Sequence, residues 1–152
     1  MSAPAERYSV CVDISAKIEA WDKPSMIAVA NGHTRVLRVA PEVKQAAARL
    51  LGSSSPPQYP LMAALAFLAL RPEIHRLSSV TLDQDYSGEV AERIITRRLV
   101  ELIHGERPRF KASAVRIGNV AGSRADRLAR AAYKKVRQPD GEITLAELEA
   151  VL

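Results

Sequence analysis

The sequence predicts an α/β domain, and three observations carry that reading. Residues 8–14 alternate Val10 and Val12 against Ser9, Cys11 and Asp13, the period of a half-buried strand. Asn31-Gly32 separates the apolar runs Ser25–Ala30 and Thr34–Val39, a hairpin signal because both turn residues tolerate positive φ. Beyond residue 70, strand-like and helix-like segments alternate.

The elements follow in order. Tyr8–Ile14 is the first strand, and Asp22-Lys23-Pro24 interrupts the chain before the hairpin. Pro41–Leu51 reads as a helix, with Pro at its first position and Gly52 just past its end. Ser53–Pro57 is a loop. Pro60–Leu70 is apolar on every side, which predicts a buried helix, and at ten residues its uncharged run Leu61–Leu70 falls short of the roughly 20 a membrane span requires. Leu77–Asp83 is the fourth strand, leading into Gln84-Asp85-Tyr86. Glu89–His104 is amphipathic, with Ala91, Ile95, Leu99 and Leu102 on one face and Arg93 and Arg97 opposite. Ala112–Ile117 is a short fifth strand. Ser123–Val136 closes the fold as a helix whose Ala125, Leu128, Ala129, Ala132 and Val136 share one side, while Arg127, Arg130, Lys134 and Arg137 share the other. Asp126 sits on the border between those faces, where it could equally be an ordinary surface partner of Arg130 one turn later.

The chain divides into a flexible N-terminus over 1–7, one domain over 8–137, and a short helical extension over 138–152. Its 152 residues are 47% hydrophobic and 26% charged, which excludes wholesale disorder, and the single Cys11 excludes an internal disulfide. Cys11 reads as a small buried apolar group. No apolar segment resembling a secretory signal opens the sequence, and the expected location is the cytoplasm.

The formal charge is +5, unevenly spread. Residues 1–92 hold 9 basic and 10 acidic side chains, residues 93–137 hold 13 and 3, and residues 138–152 hold none and 4. One stretch therefore carries the positive excess, as in a surface that binds a polyanion, though a pair of solvated amphipathic helices has the same composition.

Strands, helices and acids in this order resemble the ribonuclease H-like superfamily over about residues 8–137, as a divergent member. Leu61-Met-Ala-Ala64 resembles the family's first core helix, and Val80-Thr-Leu-Asp-Gln-Asp-Tyr86 its fourth strand and turn. The most specific segment is Arg124-Ala-Asp-Arg-Leu-Ala-Arg-Ala-Ala132, similar to the terminal helix with Asp followed by Leu-Ala. The resemblance implies a mixed five-stranded sheet in spatial order 3-2-1-4-5, flanked by helices, with Asp13, Asp83 and Asp126 converging. Those carboxylates would ligate two Mg2+ or Mn2+ ions for cleavage of RNA, DNA or hybrid phosphodiesters. Arg93, Arg97, Arg124, Arg127, Arg130, Lys134 and Arg137 would grip the flanking phosphates.

Three departures accompany the likeness. Pro60 stands where the family commonly has a catalytic Glu; Asp85, two residues after Asp83, would face the same side and supply a substitute ligand if the strand extends that far. Ile14 replaces the Gly that usually follows the first acid. Gly118–Ser123 holds no counterpart of the family's flexible His; the segment reads as a Gly-rich loop at a strand-to-helix junction, with Asn119 as the alternative, a group able to position water. A non-catalytic relative that only binds nucleic acid is the alternative, and an adaptor for an acidic protein a third reading. Asp140–Glu147 shares letters with half a calcium loop but lacks two of its oxygen ligands, and Thr144 with Glu147 reads as a helix capping box instead. His33, His75 and His104 show no metal-ligand spacing.

Overall fold

The computed structural model describes residues 7–32, 34–52, 56–84, 86 and 88–152. His33, Asp85, most of the loop at 53–57 and the N-terminal segment before Arg7 lie outside the described residues. Six strands, β1 (Tyr8–Ser15), β2 (Ser25–Ala30), β3 (Arg35–Val39), β4 (Leu77–Asp83), β5 (Val115–Gly118) and β6 (Gly141–Glu142), form one sheet in the order β5-β4-β1-β2-β3-β6. The first three pair antiparallel, while β4 runs parallel to both β1 and β5. This is a ribonuclease H-like topology, with the expected order 3-2-1-4-5 for its first five strands.

Helices cover both faces, and strand alternation decides what each face receives. Val10, Val12 and Ile14 of β1, Ile27 and Val29 of β2, and Val80 and Leu82 of β4 join one core with α1 (Pro41–Leu51), α2 (Gln58–Leu70), α3 (Glu89–His104) and α5 (Leu145–Glu149). Every residue of α2 from Leu61 to Leu70 is buried, as its all-round hydrophobicity requires. On the opposite face Met26, Ala28, Ala30 and Val36 meet Ala125, Ala129 and Ala132 of α4 (Arg124–Tyr133). Alanine on both sides of that contact lets the helix backbone lie close to the sheet.

The C-terminal segment contributes more than the short helical extension that its sequence suggests. Asp140 exchanges two bonds with Val36, donating its N–H to the carbonyl (2.7 Å) and accepting the Val36 N–H on Oδ2 (2.8 Å), which starts β6 against β3. Ile143, Leu148 and Val151 are buried in the larger core, and Thr144 and Glu147 form the expected capping box. The last long helix stops at Tyr133, short of the expected Val136. The Lys135 N–H bonds the Ala132 carbonyl and the Val136 N–H bonds that of Ala131, while Lys135 takes φ 62°, the left-handed stop normally given to Gly. Val136, expected on the buried side, is consequently 80% exposed. Residues 112–114, expected to begin the fifth strand, form a 3-10 turn instead. Among the described residues no helix is long and apolar enough to cross a membrane.

Candidate metal and phosphate site

Asp13 and Asp83 share a face because of strand parity. Asp13 is in step with Cys11, which packs toward α4, while Val12 and Ile14 point into the larger core. Asp83 is likewise offset by one from Leu82. Both stand at the C-terminal ends of neighbouring parallel strands, and α4 crosses that face with Asp126 in its first turn. The three aspartates line one cleft of about 370 Å³ together with Lys17, Arg130 and the backbone around Ala16.

Each carboxylate is held. Asp13 is 4% exposed and accepts the Ile14 N–H on Oδ1 at 2.8 Å. Asp83 Oδ1 accepts the Val120 N–H at 3.3 Å. Ser123 caps α4 by accepting the Asp126 N–H at 3.2 Å, and Asp126 Oδ2 accepts the Gly122 N–H at 2.9 Å, so this acid also fixes the loop before the helix. Arg130 places one nitrogen 3.0 and 2.9 Å from the two Asp126 oxygens. Burial alone would raise the Asp126 pKa, but the Gly122 N–H, a hydrogen bond with the Asp13 side chain and the Arg130 charge together lower it. A hydrogen bond between two carboxyl groups needs a shared proton, and a divalent cation binding there would displace it.

The loops carrying these acids are tied together behind the cleft. The buried Tyr86 hydroxyl accepts the Ile18 N–H at 2.9 Å and donates to Glu19 Oε1 at 3.2 Å, joining the segment after β4 to the segment after β1. Lys44, fully buried on α1, donates to the Ala20 carbonyl (2.9 Å) and to Ser25 Oγ (3.1 Å), and Ser25 donates to the Ala16 carbonyl (2.8 Å). Ala16 has φ 66°, so this chain of bonds anchors an unfavourable backbone conformation at the cleft wall.

Other expected site residues are dispersed. β4 ends at Asp83, and Asp85 lies outside the described residues. Pro60 is in the first turn of α2, a helix with no acidic residue. Arg93 and Arg97 pair with Glu89 and Glu101 on α3, whereas Arg124, Arg127 and Arg130 belong to α4 on the opposite face of the sheet. Lys134 and Arg137 fall at and beyond the end of α4, Arg137 beside Asp140. The anticipated basic surface is therefore divided between two layers. Asn119 Oδ1 accepts the Ala121 N–H at 2.9 Å, which closes a turn. His104 Nε2 is 2.7 Å from the Phe110 carbonyl, and His75 is exposed. Cys11 is half-buried, with Asn31 Nδ2 3.5 Å from its sulfur. Lys17 also lines the cleft; no motif marks it, and its one sequence signal is its place four residues after Asp13 in the segment that follows β1.

As a donor set, the aspartates supply the hard oxygens that Mg2+ or Mn2+ prefers, and the Asp13–Asp126 pair suffices for an ion that takes one or two protein carboxylates and completes its shell with water and phosphate. Among the described residues, no group of three or more His, Cys, Asp or Glu side chains is close enough to form a fuller shell. The comparisons with known proteins give no match, whether with a family model, a curated protein or a solved structure.

Proposed function

We propose that the chain is a metal-dependent phosphoryl-transfer enzyme that cleaves nucleic acid phosphodiesters. The observation that carries this reading is the arrival of Asp13, Asp83 and Asp126, from three remote segments, in one cleft that also holds two cations. Asp13 and Asp126 would hold Mg2+ or Mn2+, with Asp83 across the cleft oriented by the Val120 N–H. The bound metal, one ion or a pair, would supply charge neutralisation at phosphorus and a water of lowered pKa. Lys17 and Arg130 would bind the non-bridging oxygens of the substrate phosphate and stabilise charge that grows there. Lys44, Ser25 and Tyr86 act behind these groups, holding the backbone that positions them.

A second reading, a nucleic-acid-binding relative without catalysis, is favoured by two observations. Arg130 already occupies both oxygens of Asp126, and α2 offers no carboxylate. One assay separates the readings: incubation of labelled single-stranded, duplex and hybrid substrates with Mg2+ or Mn2+. The enzyme predicts metal-dependent cleavage lost in Asp13→Asn and Asp126→Asn, with binding largely retained. Binding without cleavage under every metal condition would establish the second reading.

A further inference from the structure

At the end of β4 opposite to Asp83, four cationic side chains gather around another cleft. Arg7, Arg107, Arg109 and Lys111 line a space of about 360 Å³ with Ser78, and among the described residues no carboxylate lies on its wall. The seven residues of β4 separate it from the aspartates by about 20 Å at the usual strand rise. Arg107 is a fixed charge: Nη1 donates to the Ile74 carbonyl (2.9 Å) and the Leu77 carbonyl (2.6 Å), and the guanidinium lies 4.9 Å over the Phe110 ring. The neighbouring acid in sequence, Glu106, is paired with Arg71 at 3.2 Å. Burial first, then the charge of Arg7, lowers the Arg107 pKa, as like charges held together do.

We propose that this cleft is a binding site for a phosphate group, in which the anchored Arg107 forms the floor and Arg7, Arg109 and Lys111 close around the anion. A wall of one sign concentrates counter-charge, and guanidinium forks match the spacing of phosphate oxygens. The inference is independent of the aspartate cleft. Its ligand is either a free phosphoanion or one phosphate of a polynucleotide backbone, and the same chemistry serves both.

Calorimetric titration of the full chain with inorganic pyrophosphate and with a short single-stranded oligonucleotide tests it. Arg107→Gln would strip donors from two carbonyls and could unfold the region, so the informative variant is Arg109→Gln/Lys111→Gln, two exposed positions. The site predicts binding of at least one ligand, weakened about tenfold or more in the double variant and unchanged in Asp13→Asn. An oligonucleotide that binds more tightly than pyrophosphate identifies a backbone phosphate, and the reverse identifies a free phosphoanion. Absence of binding by both ligands, affinities indifferent to the double substitution, or binding of a polyglutamate peptide instead would overturn the proposal. Loss of cleavage in Asp13→Asn with phosphate binding retained would separate this site from the aspartate cleft.

Discussion

Arg130 bridges both carboxylate oxygens of Asp126 through a single nitrogen, one helical turn away and 60% exposed at its side chain. A divalent cation entering between Asp13 and Asp126 must compete with that guanidinium. Arg130→Gln should therefore lower the Mn2+ concentration needed to stabilise the fold, measured as the shift of the thermal midpoint with added metal. The metal-free protein should lose little, about 0.5 kcal/mol, the typical contribution of a helical i,i+4 pair, because the Arg130 side chain is largely in solvent although Asp126 is mostly buried. A midpoint that ignores Mn2+ in both proteins would argue against metal at this cleft.

Asp13 is a buried acid facing another acid, an arrangement that favours function over stability. Asp13→Asn keeps an oxygen for the Ile14 N–H, and its amide donates to Asp126 without the proton that two carboxyl groups must share. The variant should melt higher than the parent at pH 7, by an amount equivalent to about 1 kcal/mol or less, because its bond to Asp126 no longer depends on a retained carboxyl proton, while losing any Mn2+ response. Differential scanning calorimetry with and without Mn2+ checks both halves of the expectation.

The sheet order was legible through the resemblance of the element order to the ribonuclease H-like superfamily, and the Asn-Gly hairpin announced the pairing of β2 with β3. The end of α4 was not. Lys135 adopts the left-handed turn that the sequence would have announced with Gly, so the helical pattern ran on to Val136. β6 has only two residues, and its pairing with β3 depends on the bond between Asp140 and Val36, across 104 positions that local patterning does not link. The basic residues were legible as composition, but composition does not say that α3 and α4 lie on opposite faces. Arg7, Arg107, Arg109 and Lys111 gather only through the fold.

Lys135 is also a place to gain stability. A left-handed residue with a Cβ is strained by roughly 1 kcal/mol, and Gly relieves it although it loosens the unfolded chain. Lys135→Gly should raise unfolding free energy by a few tenths to about 1 kcal/mol, read from urea midpoints at unchanged slope. A lower midpoint would show that the Lys135 side chain contributes more than its backbone strain costs.

The small-residue contact between α4 and the sheet makes a geometric prediction. Ala129 is fully buried in a cluster with Met26, Ala28 and Ala30 of β2 and Val36 of β3, so a larger side chain there should push the helix off the sheet. Ala129→Leu should cost about 1–3 kcal/mol by overpacking. The same substitution should separate Asp126 from Asp13 and abolish metal-dependent cleavage at temperatures where the variant remains folded. Circular dichroism establishes the folded range, and cleavage assays within it test the second effect.

Lys44 gives the fold a pH signature. Burial lowers its pKa from 10.5 to about 8, with the charges of Asp22 and then Glu19 opposing the shift. Between about pH 8 and 10.5 the unfolded chain holds the lysine proton and the folded chain does not, so stability rises with pH across that window. The slope from this group cannot exceed about 1.4 kcal/mol per pH unit. Below pH 8 both states are protonated and its contribution is flat. Lys44→Met should remove the rise while leaving the Ser25 to Ala16 bond in place, and urea denaturation at pH 7, 8, 9 and 10 measures it. A parent protein whose stability is level or falls from pH 8 to 10, with Lys44→Met behaving identically, would show that the ammonium is charged and solvated instead of held dry between Ala20 and Ser25.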